Sequence, residues 1–322
     1  MQILRKASLR TFTKPTAVTI GSFDGIHKGH QFVLQNLNKI AQSNNLTPIV
    51  ICFEPQPKEF FLKDKAPKRL TALRDRIQLI KRSGIDTILV LRFNEQLKNL
   101  TAKAFIETIL VQGVNVKHIL IGDDFRFGKN QQGDIQLLES IADAYNYTVD
   151  KLESFLYQDK RISSSIIRQL IKDGNFTDAK HYLGYSYRIT GKIIHGDKNG
   201  RKLGFATINI PLKQAMAVAG VYVVKVSIDD KSYFGVANVG IRPTVKGLKR
   251  LLEVHIFNFN RSVYHKVAQI EFLHWLRNEV KFASLDDLKT QIALDTQQAQ
   301  SWLNDHQYQL IEEHQRVKEA TK

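Results

Sequence analysis

Four short apolar runs constrain what the N-terminal half of this chain can become. Ala17–Ile20, Pro48–Phe53, Thr87–Leu91 and Lys117–Gly122 do not alternate in polarity, so each reads as a strand buried on both faces. Between them, apolar residues recur at helical spacing. Val33, Leu34, Leu37, Ile40 and Ala41 make one stripe. Leu73, Ile77 and Ile80 make another, with Thr71 predicted as its N-cap and Gly84 as its stop. Phe105, Ile109 and Leu110 mark a third helix; Ile135, Leu138, Ile141 and Ala142 mark a fourth, capped by Asp134. Strand and helix in alternation imply a doubly wound parallel sheet covered on both sides. Such sheets bind ligands beyond the carboxyl ends of their strands.

Two short helices, Ser163–Lys172 and Asn175–Leu183, are predicted on either side of Asp173-Gly174. After Gly184 the pattern changes. Tyr187–His195, Gly220–Ile228, Ser232–Asn238, Leu251–Phe259 and Val267–Leu273 are β-rich, with turn signals at Gly196-Asp197, Asn199-Gly200 and Asp229-Asp230. Short strands joined by turns predict a small antiparallel barrel. A last helix is predicted from Ser284 to Leu303, with Leu285, Leu288, Ile292 and Ala299 in a stripe. The organisation expected is therefore an α/β domain over 1–184, a β-barrel with a terminal helix over 185–306, and a polar tail over 307–322.

The 322 residues carry a formal net charge of +16, which attracts phosphate-bearing partners. The Lys and Arg are spread without a dense block. That favours a nucleotide-handling surface over a nucleic-acid stripe, the alternative that charge leaves open. The lone Cys52 sits in an apolar strand and reads as a buried small hydrophobe; it demands no oxidising compartment. The N-terminus MQILRKASLRTF has no signal-peptide core, and no apolar run approaches the ~20 residues that span a bilayer. A cytoplasmic protein without a membrane partner is expected.

The first chemical constellation follows the strand at Val18–Ile20: Gly21-Ser22-Phe23-Asp24-Gly25-Ile26-His27-Lys28-Gly29-His30, then a helix. The glycines allow close backbone approach to a ligand, and the helix start offers N–H groups and a positive dipole end to phosphate. His27 and His30, three apart, can donate to one group of phosphate oxygens. A single His there would read as an ordinary surface residue. A metal site lacks acidic or Cys partners at ligand spacing. Ser163, Ser164 and Arg168 stand at a predicted helix start, where they form an anion site or simply cap the helix. Gly122-Asp123-Asp124-Phe125-Arg126-Phe127-Gly128 follows a strand. Its aromatics suit either a planar ring or the core, and Arg126 a phosphate.

The second constellation lies in the barrel. Gly196, Lys202 and Gly204 belong to a loop of glycines and cations suited to a polyphosphate. Thr207 and Asn209 alternate with apolar residues and so share one strand face. They suit Mg²⁺ and a phosphate, or are an ordinary half-exposed pair. Glu253, in Leu252-Glu253-Val254-His255-Ile256, is a carboxylate in an apolar strand, either solvent-facing or a general base for an alcohol. Asn238 and Arg242 lie in another turn, and Arg277, Glu279, Lys281 and Phe282 precede the last helix.

Taken together, residues from about 15 to 303 resemble the bacterial bifunctional riboflavin kinase/FAD synthetase family. The N-terminal part resembles nucleotidyltransferases with an H-x-G-H signature. The resemblance implies an FMN adenylyltransferase domain followed by a six-stranded riboflavin kinase barrel, with ATP, riboflavin, FMN and FAD as substrates or products and Mg²⁺ as cofactor. It implies that His27 and His30 act on ATP, within a site of Gly21, Phe23, Asp24, Gly29, Ser163, Ser164 and Arg168. Phe53, Pro55, Asp124, Phe125, Arg126 and Phe127 would face the flavin of that site. In the barrel, Gly196, Lys202, Gly204, Thr207 and Asn209 would hold Mg-ATP, with Thr207 and Asn209 on the metal. Glu253 would activate the ribityl hydroxyl, and Asn238, Arg242 and Arg277 would lie on the flavin side. Partners beyond these small molecules reduce to a weak homo-oligomer. The sequence departs from the family pattern at Gln56 (His in many members), at Ala206 and Ile208 (Pro and Ala), and at His265, where Gly usually follows Tyr264.

Overall fold

The computed structural model describes residues 1–5, 12–153, 155–157, 160–195, 207–244 and 247–306. Two compact units emerge. One comprises Met1–Arg168 with His181–Gly184; the other comprises Gln169–Lys180 with the chain from Tyr185 onward.

The first unit is built on six strands: β1 (Gln2–Leu4), β2 (Thr16–Ile20), β3 (Thr47–Glu54), β4 (Thr87–Arg92), β5 (Val116–Gly122) and β6 (Thr148–Leu152). Their order is β1-β4-β3-β2-β5-β6, and every pairing is parallel. From β2 the chain steps to β3 and β4 on one side, then returns to β5 on the other. The order therefore reverses at β2, and the loops leaving β2 and β5 flank that switch point. The four strands predicted from apolar runs are the sheet's centre, with β2 wholly buried. The two that were not predicted, β1 and β6, are its edges; Thr148, Asp150 and Lys151 in β6 are exposed, so no apolar run marks them.

Helix α1 (Lys28–Ser43) buries Leu34, Leu37 and Ala41; α2 (Pro57–Leu62) and α3 (Leu73–Arg82) follow β3. Three predicted helix details are corrected. The N-cap of α3 is Ala72, without a side-chain bond, because the Thr71 hydroxyl is bonded elsewhere. The third helix widens into a π-turn at Ile106–Val111 between Ala102–Phe105 and Gln112–Val114, which keeps Phe105, Ile106, Leu110 and Val114 all in the core. The fourth breaks at Ile141 into Ile135–Ser140 and Ala142–Tyr145. Asp134 does cap it, accepting from the Leu137 N–H at 3.0 Å. A two-stranded ribbon, β7 (Leu156–Tyr157) and β8 (Lys160–Arg161), precedes the helix Ser164–Lys172.

The second unit is a six-stranded antiparallel barrel: β9 (Arg188–Lys192), β10 (Thr207–Leu212), β11 (Gly220–Ile228), β12 (Lys231–Thr244), β13 (Gly247–Ile256) and β14 (Val267–Arg277), in the order β10-β13-β12-β11-β14-β9. Just past the end of β9 the barrel comes near closure through a bridge from Ile194 to Asn209 on β10. β12 extends beyond the predicted strand, and β13 is shifted towards the N-terminus. The terminal helix Leu285–Asp305 is capped by Ser284, whose hydroxyl accepts from the Asp287 N–H at 3.1 Å. Its Ala299 is buried with Val221, Val223 and Val236. No helix among the described residues is long and apolar enough to cross a membrane.

Candidate active sites

The loop after β2 makes the first site. Its backbone runs through positive φ at Phe23 (48°), Gly25 (85°) and Ile26 (35°), conformations that only glycine adopts without strain. It delivers His27 as the N-cap of α1, where Nδ1 accepts from the His30 N–H at 3.3 Å. A nitrogen that accepts carries no proton, so the neutral ring bears its hydrogen on Nε2. A Cβ on Gly29 would come within 3.2 Å of that same Nδ1, so a side chain there would crowd the cap. The two imidazoles stack with centroids 3.7 Å apart and planes 16° from parallel. Burial drives the His27 pKa down to about 4, against the attraction of Asp24 and with help from Arg168. Burial and the neighbouring His27 hold His30 well below its usual value. Near neutral pH both rings are therefore uncharged, able to offer N–H donors rather than cations. His30 Nδ1 is buried without a partner among the described residues, a state that a ligand contact would relieve. The ring of Phe23, 4% exposed, lies 5.2 Å from His30 and supports it from inside.

Asp24, expected in the nucleotide pocket, is 3% exposed and already saturated by protein. Its carboxylate accepts from the Leu70 N–H at 3.1 Å, the Thr71 N–H at 3.0 Å, the Thr71 hydroxyl at 3.2 Å and Arg168 Nη2 at 2.7 Å. Ser164 donates to the Asp24 carbonyl at 2.9 Å, and Arg168 Nε to the Lys68 carbonyl at 2.7 Å. Ser163 caps its own helix, accepting from the Ile166 N–H at 3.3 Å. Ser164 and Arg168 thus stand beside the histidine loop, while Asp24 is its internal hub.

Sequence reasoning missed a charge quartet next to this loop, its arginines buried and its glutamates only partly so. Arg69 and Arg76, 1% and 0% exposed, share the carboxylates of Glu54 and Glu59. Arg69 reaches Glu54 at 2.8 Å and Glu59 at 2.5 Å; Arg76 reaches Glu54 at 2.9 Å and the Ser22 carbonyl at 2.8 Å. Two cations against two anions keep the cluster neutral, the condition under which burial is tolerable. Gln56 is also buried, with Nε2 unpartnered among the described residues.

The residues expected around the flavin divide. Phe53, half-buried at the carboxyl end of β3, meets Phe93 edge-on at 5.9 Å. Phe93 in turn meets Phe60 at 5.3 Å and Phe61 at 5.6 Å. This aromatic cluster, with Phe61 54% exposed, was not singled out from sequence. Pro55 is exposed beside it. In the loop after β5, Phe125 stacks on Phe127 at 5.4 Å, and Phe127 packs into the core against Phe105 at 5.5 Å. Arg126 pairs with Asp134, and Asp124 with Arg161 at 2.8 Å.

In the barrel, strand register gathers the second site. Asn209 on β10 lies opposite Glu253 on β13, and Glu253 lies opposite Asn238 on β12. Directly paired residues share a face, so amide, carboxylate and amide form one row, with Thr207 two residues along β10. The Oδ1 atoms of Asn209 and Asn238 are buried without partners among the described residues. Arg277, which the resemblance puts on the flavin side, is bonded to its own protein. Nε and Nη2 each bond Asp295 at 2.7 Å, and Nη1 bonds the Asn278 carbonyl at 2.9 Å. Gly196, Lys202 and Gly204 lie outside the described residues, as do Ala206 and the tail 307–322, and the Arg242 side chain is likewise not described.

Comparison with known proteins agrees with this two-site picture. The FAD synthetase family profile matches residues 9–166 and the riboflavin kinase profile residues 183–303. A bifunctional riboflavin kinase/FMN adenylyltransferase of Haemophilus influenzae is 43% identical over 89% of this chain and 94% of its own. The Escherichia coli K12 protein of the same description is 43% identical over 86% of this chain and 90% of its own. A crystal structure titled macrolide-efflux protein from Streptococcus pneumoniae superposes with a TM-score of 0.71 at 30% identity, covering 92% of this chain and 97% of that one.

Proposed function

The chain belongs to the bifunctional riboflavin kinase/FMN adenylyltransferase family, and on that premise we propose which of its residues perform each reaction. It phosphorylates riboflavin to FMN with ATP, then adenylylates FMN to FAD with release of pyrophosphate. Adenylyl transfer is assigned to residues 1–184 and phosphorylation to 185–306, both in the cytoplasm.

In adenylyl transfer an FMN phosphate oxygen attacks the α-phosphorus of ATP. The nucleophile is already anionic, so no base has to activate it. Negative charge grows on the α-phosphate and on the leaving pyrophosphate, and fixed donors aimed at that charge are the main catalytic device. The Nε2–H of His27, His30, the unpaired N–H groups at the start of α1 and Arg168 supply them. Gly21 and Gly29 let the triphosphate come close, and Phe23 braces His30. Ser163 and Ser164 hold the start of the helix that carries Arg168. Phe53, Pro55 and Phe125 offer apolar surface to the isoalloxazine, and Asp124 and Arg126 border it. The observation that carries this assignment is the neutral, stacked histidine pair at the sheet's switch point.

In the kinase reaction, Glu253 takes the proton from the ribityl 5′-hydroxyl as its oxygen attacks the γ-phosphorus, and ADP leaves. Asn238, next in the row, accepts from a flavin hydroxyl. Thr207 and Asn209 would hold Mg²⁺. The fit rests on the orphaned Asn209 Oδ1, a hard oxygen donor of the kind Mg²⁺ prefers. When bound, the cation offsets charge on the polyphosphate.

The test is a time course with riboflavin, ATP and Mg²⁺, with flavins separated as they form. Wild type should yield FMN and then FAD. His30→Ala should accumulate FMN, its FAD synthesis lowered on the order of 100-fold or more. Glu253→Gln should form no FMN from riboflavin yet still convert added FMN to FAD. A folded single variant that lost both activities would sink the two-site assignment.

A further inference from the structure

We propose that Thr71 is a positioning residue for adenylyl transfer, acting through the loop that presents His27. The inference rests on the adenylyltransferase reading above. Thr71 stands just before α3 and reads in sequence as its N-cap, yet α3 takes no side-chain cap. The hydroxyl instead reaches back 46 and 47 residues in sequence. It accepts from the Gly25 N–H at 3.0 Å and donates to Asp24 Oδ1 at 3.2 Å. The residue is 2% exposed, so no water can replace either bond without a rearrangement.

The loop needs such a grip. Phe23, Gly25 and Ile26 all hold positive φ, and two of them carry side chains that disfavour it. Backbone of this kind persists only where its surroundings over-determine it, and it concentrates at functional sites. The segment from Arg69 to Arg76 provides that constraint. Arg76 holds the Ser22 carbonyl at 2.8 Å. The Leu70 and Thr71 N–H groups hold the Asp24 carboxylate. Leu70 packs so closely on Gly25 that a Cβ there would lie 2.7 Å from its Cδ1. The Thr71 side chain is bonded both to the loop's backbone and to its carboxylate hub. Removing its hydroxyl takes one bond from the Gly25 N–H and one from the Asp24 carboxylate, two and three residues before the His27 cap. The loop's relaxation then moves the His27 Nε2–H, and a misplacement of about 1 Å is enough to weaken its donation to the α-phosphate.

The experiment uses the full chain with Thr71→Val, nearly isosteric but unable to hydrogen-bond, and Thr71→Ser, which keeps the hydroxyl. FAD synthesis from FMN and ATP is measured at saturating substrate, alongside the unfolding temperature. A shift of about 1 Å in reacting groups lowers rate on the order of 100-fold. The expectation is that Thr71→Val loses roughly 10- to 100-fold in kcat, with KM for FMN held within about twofold because the aromatic flavin surface is untouched. Thr71→Ser should stay within about threefold of wild type. If Thr71→Val does not fold, Thr71→Ala removes the same hydroxyl without the added methyl and takes its place. Wild-type kcat in the hydroxyl-free variant overturns the proposal, and so does equal loss in the Ser variant, which would assign the effect to packing. Absence of FAD formation by the wild-type chain is a separate outcome, and it would remove the adenylyltransferase reading itself.

Discussion

Arg277 offers a sharp test of reasoning from geometry, because its expected place beside the flavin and its observed bonds point to different roles. All three guanidinium nitrogens are occupied, two of them by Asp295, which is 3% exposed and also accepts from Gln291 at 2.9 Å. Asp295→Asn keeps the shape but removes the charge and turns an amide N–H₂ toward donors. Breaking a buried pair by altering one partner costs about 3–5 kcal/mol. Arg277 retains some solvent, its side chain being 22% exposed, so about 3 kcal/mol is the reasonable figure. At about 2–4 °C per kcal/mol for a domain of this size, the barrel should melt roughly 6–12 °C lower. Both tryptophans, Trp275 and Trp302, belong to the second unit, and Trp302 sits on the anchored helix. Thermal unfolding followed by their fluorescence therefore reports this unit alone. An apolar pair, Arg277→Met with Asp295→Leu, should recover most of the loss. The riboflavin KM supplies the second arm: Arg277→Met and Asp295→Asn should shift it alike, since both act through the helix. An unfolding temperature within about 1 °C of wild type for Asp295→Asn, or a KM change confined to Arg277→Met, would refute the reasoning.

Two further predictions concern histidines. His27 has a folded pKa near 4 against an unfolded value of 6.5, so the unfolded chain binds more protons between those values. Stability is then fully present above pH 6.5 and falls as pH drops towards 4; the His27 share between pH 7.5 and 5 is about 2 kcal/mol. Urea titrations at the two pH values should show a smaller difference in His27→Asn, which can still cap α1, and an unchanged difference would exclude His27 as the source. His265 holds φ at 68°, a left-handed conformation that disfavours a side chain, so His265→Gly should stabilise the barrel by up to about 1 kcal/mol. Chemical denaturation tests it, and a loss of stability would mean that the contact with the His195 ring, 5.7 Å away, outweighs the backbone strain.

The sheet's centre was legible because burial on both faces leaves continuous apolar runs, as at Ile49–Cys52. Its edges were not, since a half-exposed strand such as Thr148–Leu152 has no reason to be apolar. The histidine pair was legible because two like residues bracket a glycine at a strand-to-helix turn. Its protonation state was not, because desolvation depends on what packs around the rings. Asp24 was read as a nucleotide-site residue and Arg277 as a flavin-side one, but their partners at Leu70, Thr71, Arg168 and Asp295 lie 18 to 144 positions away. Local pattern cannot tell a side chain that meets a ligand from one that meets its own protein. The quartet of Arg69, Arg76, Glu54 and Glu59 escaped for the same reason: each charge alone resembles a solvated surface residue.

The bridge at Asn209 has a consequence for motion in the barrel. The Asn209 carbonyl receives the Ile194 N–H at 2.8 Å, while the same residue's amide stands in the row with Glu253. Seam and site are thus joined through one Cα. Because β10 is paired along its length with β13, breathing that parts the seam frees the Asn209 carbonyl from Ile194 yet leaves Asn209 beside Glu253. The row of Asn209, Glu253 and Asn238 is therefore carried by the β10–β13–β12 ladder and can outlast an opening of the seam.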